Sequence, residues 1–190
     1  MSNIQCVDLK ADRELGEYWE KQFCLIGSQY DKCFTPHQWH RQKAAVAYLK
    51  KQGWNIYTLP DITIWSAPGE HHEIKHKNTN KYESYGLETY RFKVLCDFAE
   101  ITQQPVYYTI HDHDLAGGKY IKENNIEHWC TAKVGRDIKY DNGKQFWGFS
   151  WVNGEKKRVL IYYWHSFYFI PLTQIWDDIR FVGGELGATD

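Results

Sequence analysis

The fold of this chain is decided by one stretch, Leu59-Pro60-Asp61-Ile62-Thr63-Ile64-Trp65-Ser66-Ala67-Pro68-Gly69-Glu70-His71-His72-Glu73-Ile74-Lys75-His76. Within it, apolar side chains stand at alternate positions, at Ile62 and Ile64 and again at Ile74. Because side chains alternate between the two sides of a β-strand, this spacing predicts two short strands around a turn. The three isoleucines are then expected to face the core.

The charged residues of this stretch fall on the opposite side of the same two strands. Asp61 points away from the isoleucines, and so do Glu73 and Lys75, which stand two apart on the second strand. Two carboxylates and an ammonium that converge on one sheet face cost free energy unless something binds there. A divalent metal ion together with a phosphate group would meet that need.

The bulk composition indicates a soluble globular protein. The chain has 190 residues, of which 43% are hydrophobic and 25% charged, and this suffices for one domain with a substantial core. A net charge of −1 excludes a global basic field, so a nucleic acid would have to bind a local patch. Five scattered cysteines disfavour a disulfide framework, and no apolar run predicts a membrane span. A cytoplasmic location is expected.

Two helices are predicted before the opening stretch. Residues 12–24 carry apolar side chains at i, i+4 and i+8, which should face the core. These side chains are Leu15, Trp19 and Phe23. A second helix should begin with Thr35 as its N-cap and Pro36 as its first residue, and Gly53 should end it.

The residues on either side of the opening stretch predict two further strands and a third helix. Residues 54–57 are expected to form a strand before it. After it, Ser84 is predicted to cap a third helix, and Val106–Ile110 is a β-rich apolar strand. The buried side of that helix should carry Leu87, Val94, Leu95, Phe98 and Ile101. A strand, a helix of this length and another strand predict a parallel, right-handed unit. The fold class is therefore α/β, with helices on a mixed sheet.

The C-terminal third predicts an additional aromatic-rich hairpin. Residues 146–151 and 158–164 flank Asn153-Gly154, a strong two-residue hairpin signal. A closing helix is expected over residues 171–179. Since no linker or repeat is visible, we expect a single domain over residues 1–190. Its core would span roughly 12–111, and a β-rich extension would span roughly 112–190.

The opening stretch resembles the signature of the PD-(D/E)xK nuclease superfamily, whose members share a restriction-endonuclease-like fold. Pro60-Asp61 is followed by eleven residues and then by Glu73-Ile74-Lys75, which matches that signature literally. Upstream, Gly16-x-x-x-Glu20 lies on the first helix, where many members place a third carboxylate. The resemblance covers about residues 12–111 and implies a mixed central sheet flanked by helices.

The chemistry of these residues suits phosphodiester hydrolysis. Asp61 and Glu73 offer hard oxygen ligands for Mg²⁺ or Mn²⁺, and the backbone carbonyl of Ile74 is placed to supply another. Such a metal lowers the pKa of a bound water and stabilises charge on the phosphorane. Lys75 would position the attacking water and neutralise phosphate charge. Glu20 would complete the metal shell, a role that the resemblance implies.

The two strands must also pair in a suitable register. For Asp61 to share a face with Glu73 and Lys75, opposed residue numbers must add to an even value. Pairing Asp61 with Lys75 meets this condition and leaves an odd loop centred on Pro68. A two- or four-residue loop without a bulge would turn Asp61 to the core.

A competing motif overlaps the same residues. His72-Glu73-Ile74-Lys75-His76 fits H-E-x-x-H, the zinc metallopeptidase motif. That motif needs a helix, and the turn signals on both sides leave too few residues for a stable one. The zinc metallopeptidase is therefore the weaker alternative. Further polar candidates are His111–Asp114, interpreted as a strand end, and the phosphate contacts Lys77, Lys81 and Arg91.

The expected function is metal-dependent cleavage of double-stranded DNA by a restriction-type endonuclease. The resemblance implies a 5′-phosphate product, and a homodimer would let each active site cut one strand. The alternative from another class is a nuclease fold that binds nucleic acid or protein without catalysis. The intact set of Asp61, Glu73 and Lys75 favours the enzyme.

Overall fold

The computed structural model describes residues 9–37, 39–54, 56–66, 69–77, 83–112, 125–152 and 155–176. The helices are α1 (Leu9–Ser28), α2 (Trp39–Lys51) and α3 (Thr89–Thr102). The strands are β1 (Phe34–Pro36), β2 (Ile62–Ile64), β3 (Glu70–Lys77), β4 (Ser84–Glu88), β5 (Val106–Asp112), β6 (Trp129–Lys133), β7 (Lys144–Val152), β8 (Glu155–His165) and β9 (Ile170–Pro171). Short 3₁₀ helices span Ile126–His128 and Ser166–Tyr168. The predictions made for Pro68, Lys81, His113-Asp114 and Asn153-Gly154 lie outside the described residues.

The main sheet has six strands in the order β1-β2-β3-β5-β6-β9. β3 and β5 run parallel, with Glu73 opposite Tyr108, and the other neighbouring strands pair antiparallel. Between β3 and β5 the chain passes through β4 and α3, as a crossover to a parallel strand requires. The prediction of a mixed central sheet with helices packed on it is confirmed.

A second, three-stranded sheet has the order β4-β8-β7. β7 and β8 form the antiparallel pair of the predicted aromatic hairpin, from Lys144 opposite Tyr163 to Val152 opposite Glu155. β4 pairs with the C-terminal half of β8, from Ser84 opposite His165 to Glu88 opposite Ile161. The hairpin is thereby joined to the segment that precedes α3.

The core on the α1 side follows the predicted pattern. Trp19 and Phe23 are buried, and Leu15 packs against the same cluster. The cluster also contains the three isoleucines of β2 and β3, Ile62, Ile64 and Ile74. Alternation along the strands and a four-residue repeat along the helix therefore meet on one side of the main sheet.

The second core lies on the α3 side of the main sheet. It contains the predicted helix residues Val94, Leu95 and Phe98, together with Tyr108 of β5 and Trp164 of β8. Leu87 is also buried, but it belongs to β4. The second sheet and α3 therefore share one apolar interior with the main sheet.

Two predicted helix starts are wrong, and in both cases strand pairing overrides a local signal. Thr35 and Pro36 lie in β1 opposite β2, and α2 begins at Trp39. Gly53 has φ +88° and bonds back to Lys50, so the predicted helix end is confirmed. Ser84 opens a strand rather than a helix, since Tyr85 and Leu87 alternate into the core.

Two further predictions meet mixed outcomes. The strand expected over residues 54–57 is wrong, because residues 54, 56 and 57 have no strand pairing. Residues 172–176 are helical, as expected of the closing helix, and residues 177–179 lie outside the described part of the chain. Within the described residues, no helix is long and apolar enough to cross a membrane.

Candidate active site

A cleft of about 1110 Å³ is lined by residues of α1, β3 and α3 and of the segment that precedes β2. All four predicted catalytic residues line it: Glu20, Asp61, Glu73 and Lys75. Arg91 of α3 lines it as well. Residues from helices and strands that are far apart in sequence therefore face one space.

The register of β2 and β3 decides which way Asp61 points. Ile62 lies opposite His72 and Ile64 lies opposite Glu70, so Asp61, just before β2, comes opposite Glu73. The predicted pairing with Lys75 is wrong by two residues. The numbers of paired residues still add to an even value, and the connection between β2 and β3 has five residues, an odd number. Asp61 therefore shares a face of the sheet with Glu73 and Lys75.

The ammonium of Lys75 lies among the three oxygens that were predicted to hold a metal. Its Nζ is 2.6 Å from Oε1 of Glu73 and 3.5 Å from Oδ2 of Asp61. It also donates to the backbone carbonyl of Ile74 at 3.0 Å. The same Oδ2 of Asp61 accepts the Ile74 N–H at 2.8 Å, which fixes that carboxylate against β3.

Arg91 was predicted as a phosphate contact, but in the structure it binds the carboxylate of Glu73. Its guanidinium donates from both Nε and Nη2 to the carboxylate of Glu73, with 2.7 Å for the Nε contact. It also donates to Thr58 Oγ1 at 2.6 Å and to the Leu59 carbonyl at 3.0 Å, and its Nη2 lies 3.4 Å from Asp61 Oδ1. The Arg91 guanidinium is thus held inside the site by hydrogen bonds to Glu73, Thr58 and the Leu59 carbonyl.

The burial of Glu73 explains why two cations surround it. Its side chain is fully buried, and burial alone would favour the protonated acid. The charges and hydrogen bonds of Arg91 and Lys75 outweigh this effect and hold the pKa of Glu73 at about 2. The same carboxylates raise the pKa of Lys75 and of Arg91 despite their burial. Glu73 is therefore ionised at neutral pH.

Asp61 and Glu20 are affected in the opposite direction. Burial, followed by repulsion from Glu73, raises the pKa of Asp61. Burial, followed by the charge of Asp61, raises the pKa of Glu20 from 4.5 to about 8, so Glu20 holds a proton at pH 7. With Glu20 protonated, the charges of Lys75 and Arg91 balance those of Asp61 and Glu73, and added positive charge would favour the ionised forms of Asp61 and Glu20.

The carboxylates do not yet form a complete ligand set. Among the residues that the structure describes, no three His, Cys, Asp or Glu side chains are gathered closely enough to hold a metal. Asp61 and Glu73 converge on shared cations, whereas Glu20 interacts with them through charge.

Lys77, predicted as a phosphate contact, lies outside the cleft. Lys77 is half-buried at the end of β3, and burial lowers its pKa. It lines a smaller pocket with Glu88, the residue whose charge partly restores its pKa. Lys81 lies outside the described residues.

The zinc metallopeptidase alternative is wrong. His72 and His76 lie on β3, where the rise per residue puts them about 13 Å apart along the strand. His72 bonds Thr109 Oγ1 at 2.7 Å, and the Nδ1 atoms of His76 and His111 lie 3.0 Å apart. His111 ends β5 as predicted and is buried on the α1 side of the sheet.

Comparisons with known proteins assign no family and no function to this chain. No family model and no curated protein matches the sequence. Among solved structures, the chain is similar to the 1.6 Å resolution structure of Hjc, a Holliday junction resolvase from the archaeal hyperthermophile Archaeoglobus fulgidus. The sequence identity is 10% and the TM-score 0.48, over 85% of this chain and 95% of that chain.

Proposed function

We propose that this chain is a metal-dependent DNA endonuclease of the PD-(D/E)xK type, with its active site at Asp61, Glu73, Lys75 and Glu20. The reaction is hydrolysis of a phosphodiester bond, and the metal is Mg²⁺ or Mn²⁺. We further propose that the substrate is double-stranded DNA, cut in restriction style by a homodimer.

One observation carries this proposal. Oxygens of Asp61, Glu73 and Ile74 all lie within 3.5 Å of a single cationic atom, Lys75 Nζ. Two carboxylates and a backbone carbonyl around one point make an oxygen-rich site for a positive ion. In the arrangement observed, the lysine ammonium supplies that positive charge.

The donors fit a hard divalent cation better than a soft one. Asp61, Glu73 and the Ile74 carbonyl would hold the ion, and Glu20 would join them after losing its proton. When bound, such an ion supplies a water of lowered pKa and neutralises charge that develops on the phosphoryl group. The raised pKa values of Asp61 and Glu20 support this fit, because added positive charge would favour both carboxylates in their ionised form.

The protein's own residues would then act in distinct ways. Lys75, released from the carboxylates, would orient the attacking water and neutralise a phosphate oxygen. Arg91 would keep Glu73 ionised and fixed, since it bonds both carboxylate oxygens and the backbone before Asp61. Glu20 is protonated at pH 7 and would release its proton when the metal site forms.

Cleavage of supercoiled plasmid DNA tests this function. We expect the purified protein to nick or linearise plasmid with Mg²⁺ and to be inactive with EDTA. Asp61→Ala and Lys75→Ala should lose this cleavage. A matched control is the exposed ion pair of Lys93 and Asp97 on α3, whose Nζ–Oδ2 distance is 2.7 Å. Asp97→Ala and Lys93→Ala should cut as the wild type does.

A second function is favoured by one observation, the dense ion-pair network around buried Glu73. Such a network also serves a fold that binds nucleic acid or protein without catalysis. Folded wild-type protein that binds DNA but cuts neither DNA nor RNA with Mg²⁺ or Mn²⁺ would establish this function instead. Cleavage that survives both Asp61→Ala and Lys75→Ala would place the active site elsewhere.

A further inference from the structure

The β7–β8 hairpin extends beyond the rest of its sheet. β4 pairs with β8 from Ile161 onwards, whereas residues 155–160 pair, within the described part of the chain, with β7 alone. We call this two-stranded portion, residues 147–152 and 155–160, the aromatic arm. A two-stranded ribbon without a covering layer is marginally stable in water, so large apolar side chains on it need another explanation than core packing.

Two aromatic rings of the arm are largely exposed. Trp147 is 62% and Phe149 67% exposed, and being two apart they share one face of β7. Across the strands, Arg158 lies opposite Phe149, and its guanidinium carbon is 5.1 Å from the Trp147 ring centre. The Nζ of Lys156 is 5.5 Å from the Phe149 ring centre. The face therefore alternates flat rings with cations.

The charge of the arm is predominantly positive. Residues 155–160 contain Lys156, Lys157 and Arg158 against one carboxylate, Glu155, which pairs with Lys157 at 3.0 Å. This local excess contrasts with the chain's net charge of −1. A polyanion is thus the complementary partner, because its phosphates can bind the cations while its other groups contact the rings.

The arm also adjoins the cleft. Ser150, on the other face of β7 from the two rings, donates to Glu88 Oε1 at 2.5 Å, and Glu88 lines the cleft that contains Asp61 and Glu73. Phe149 lines a smaller pocket together with the same Glu88. A strand of nucleic acid that leaves the cleft at Glu88 would therefore reach the middle of the arm, near Phe149 and Ser150. This connection links the arm to the proposed reaction rather than to a remote surface.

We propose that the aromatic arm binds unpaired nucleotides of the DNA substrate, stacking their bases on Trp147 and Phe149 while Lys156 and Arg158 contact the adjacent phosphates. This deepens the proposed function and rests on it, because it assigns the endonuclease to DNA that carries single-stranded segments next to duplex. In a fully paired duplex the base faces are stacked on one another, so exposed rings find them only where bases are unpaired.

Binding of labelled oligonucleotides, followed by fluorescence anisotropy without divalent metal, tests the arm. The probes are a duplex with a single-stranded overhang and the same duplex with blunt ends. Trp147→Ala combined with Phe149→Ala should weaken overhang binding about 10-fold or more and leave blunt-duplex binding unchanged. Phe167→Ala is the matched control, since Phe167 is equally exposed at 67% but lies outside the arm. It should bind both probes like the wild type.

A second variant guards against loss of the hairpin itself. Trp147→Leu combined with Phe149→Leu keeps apolar bulk on the strand but removes the flat rings, and it should lose the overhang preference too. Equal affinity of the wild type for both probes would overturn the proposal. So would an equal loss on both probes, or a change in oligomeric state on gel filtration, which would mean that a second copy covers the rings.

The two proposals fail in distinguishable ways. If the nuclease function is wrong, the wild type will prefer the overhang probe but will not cut any DNA with Mg²⁺ or Mn²⁺. If the arm is wrong, the wild type will cut, and the arm variants will bind and cut overhang DNA as the wild type does.

Discussion

The two faces of β3 bury polar side chains in contrasting ways. On the face toward α3, Glu73 and Lys75 form ion pairs with one another and with Asp61 and Arg91. We call this the charged face. On the face toward α1, His72 and His76 lie among aromatic rings, and we call this the aromatic face.

The aromatic face holds its polar side chains mainly through hydrogen bonds between neutral groups and ring stacking, with one carboxylate, Glu70, 3.4 Å from His72 Nε2. His72 shares a hydrogen bond with Thr109 Oγ1 at 2.7 Å, and Thr109 shares another with Thr131 at 2.8 Å. Trp19 stacks on His76 with ring centres 4.6 Å apart and on His111 at 3.7 Å. This arrangement packs α1 and β5 against β3.

The charged face contains carboxylates whose pKa values are shifted in opposite directions, that of Glu73 downward and that of Asp61 upward. Two cations are fully engaged, yet the pKa values of Asp61 and Glu20 remain raised by burial and by the neighbouring carboxylates. Buried groups with pKa values shifted in opposite directions are typical of active sites. The difference teaches that polar side chains on one face of β3 are packed among aromatic rings, whereas those on the other face form a charged cluster, which we propose binds a metal ion.

The largest expected effect is loss of stability on removing Arg91. Arg91→Met would leave buried Glu73 without its guanidinium and should lower the free energy of unfolding by about 3–5 kcal/mol, measured by urea denaturation. Saturating Mg²⁺ should recover part of this loss, because it binds the folded state alone. Lys93→Met, on the exposed side of α3, should change it by less than about 0.5 kcal/mol. Equal results for the two variants would contradict a buried charged face.

The second-largest effect is expected on the cleavage rate, when Lys75 is removed. Lys75→Ala removes the ammonium that would stabilise charge on the phosphate and is expected to lower the cleavage rate about 100- to 1000-fold. The measurement is the single-turnover rate on plasmid DNA, with Lys93→Ala as the control. A rate within a few-fold of wild type would exclude Lys75 from the proposed catalytic role.

A substitution on the aromatic face should affect stability alone. Thr109→Val removes the hydrogen-bond partner of buried His72 Nδ1 and one of the two partners of Thr131 Oγ1, and it should cost about 1–3 kcal/mol of unfolding free energy. Cleavage per folded molecule should stay at the wild-type level. A parallel fall in activity at temperatures where the variant is fully folded would mean that the two faces of β3 are coupled.

Glu20→Gln should give the smallest effect, and it should depend on pH. The folded pKa of about 8 lies above the ordinary 4.5, so the folded state retains a proton that the unfolded chain releases. Wild-type stability is therefore expected to fall as pH rises from about 5 to 8. The glutamine variant lacks this loss. Because Glu20 is partly exposed and solvent screens its charge, we expect a gain of at least about 1 kcal/mol at pH 8, or about 2–4 °C in Tm, and no difference at pH 4. A pH-independent difference would contradict the raised pKa.

Much of the charged face could be predicted because it is local in sequence. The alternation of Ile62, Ile64 and Ile74 places Asp61 and Glu73 together once the two strands pair. The role of Arg91 depends on how α3 lies across the sheet, which no local pattern specifies. A signal was nevertheless present, since Arg91 stands in the same helical row as buried Leu95 and Phe98. A cation within an apolar row predicts a buried anion opposite it.

The missed strands share a different cause. β1 and β4 pair with segments that are distant in sequence, Thr35 with Thr63 and Tyr85 with Trp164. Local capping signals at Thr35 and Ser84 favoured helices, and tertiary pairing overrides such propensities. The alternating burial of Tyr85 and Leu87 was visible only as a two-residue pattern, too short to distinguish a strand from a helix.

The central claim is that oxygens of Asp61, Glu73 and Ile74 form a divalent cation site that Lys75 fills in the metal's place. Isothermal titration of Mn²⁺ into the protein at pH 7, in two buffers of different ionisation enthalpy, tests this most directly. We expect the wild type to bind Mn²⁺ with release of the Glu20 proton, seen as a buffer-dependent heat that Glu20→Gln abolishes. Asp61→Asn should abolish binding. No Mn²⁺ binding by the wild type, or equal binding by Asp61→Asn, would contradict the claim.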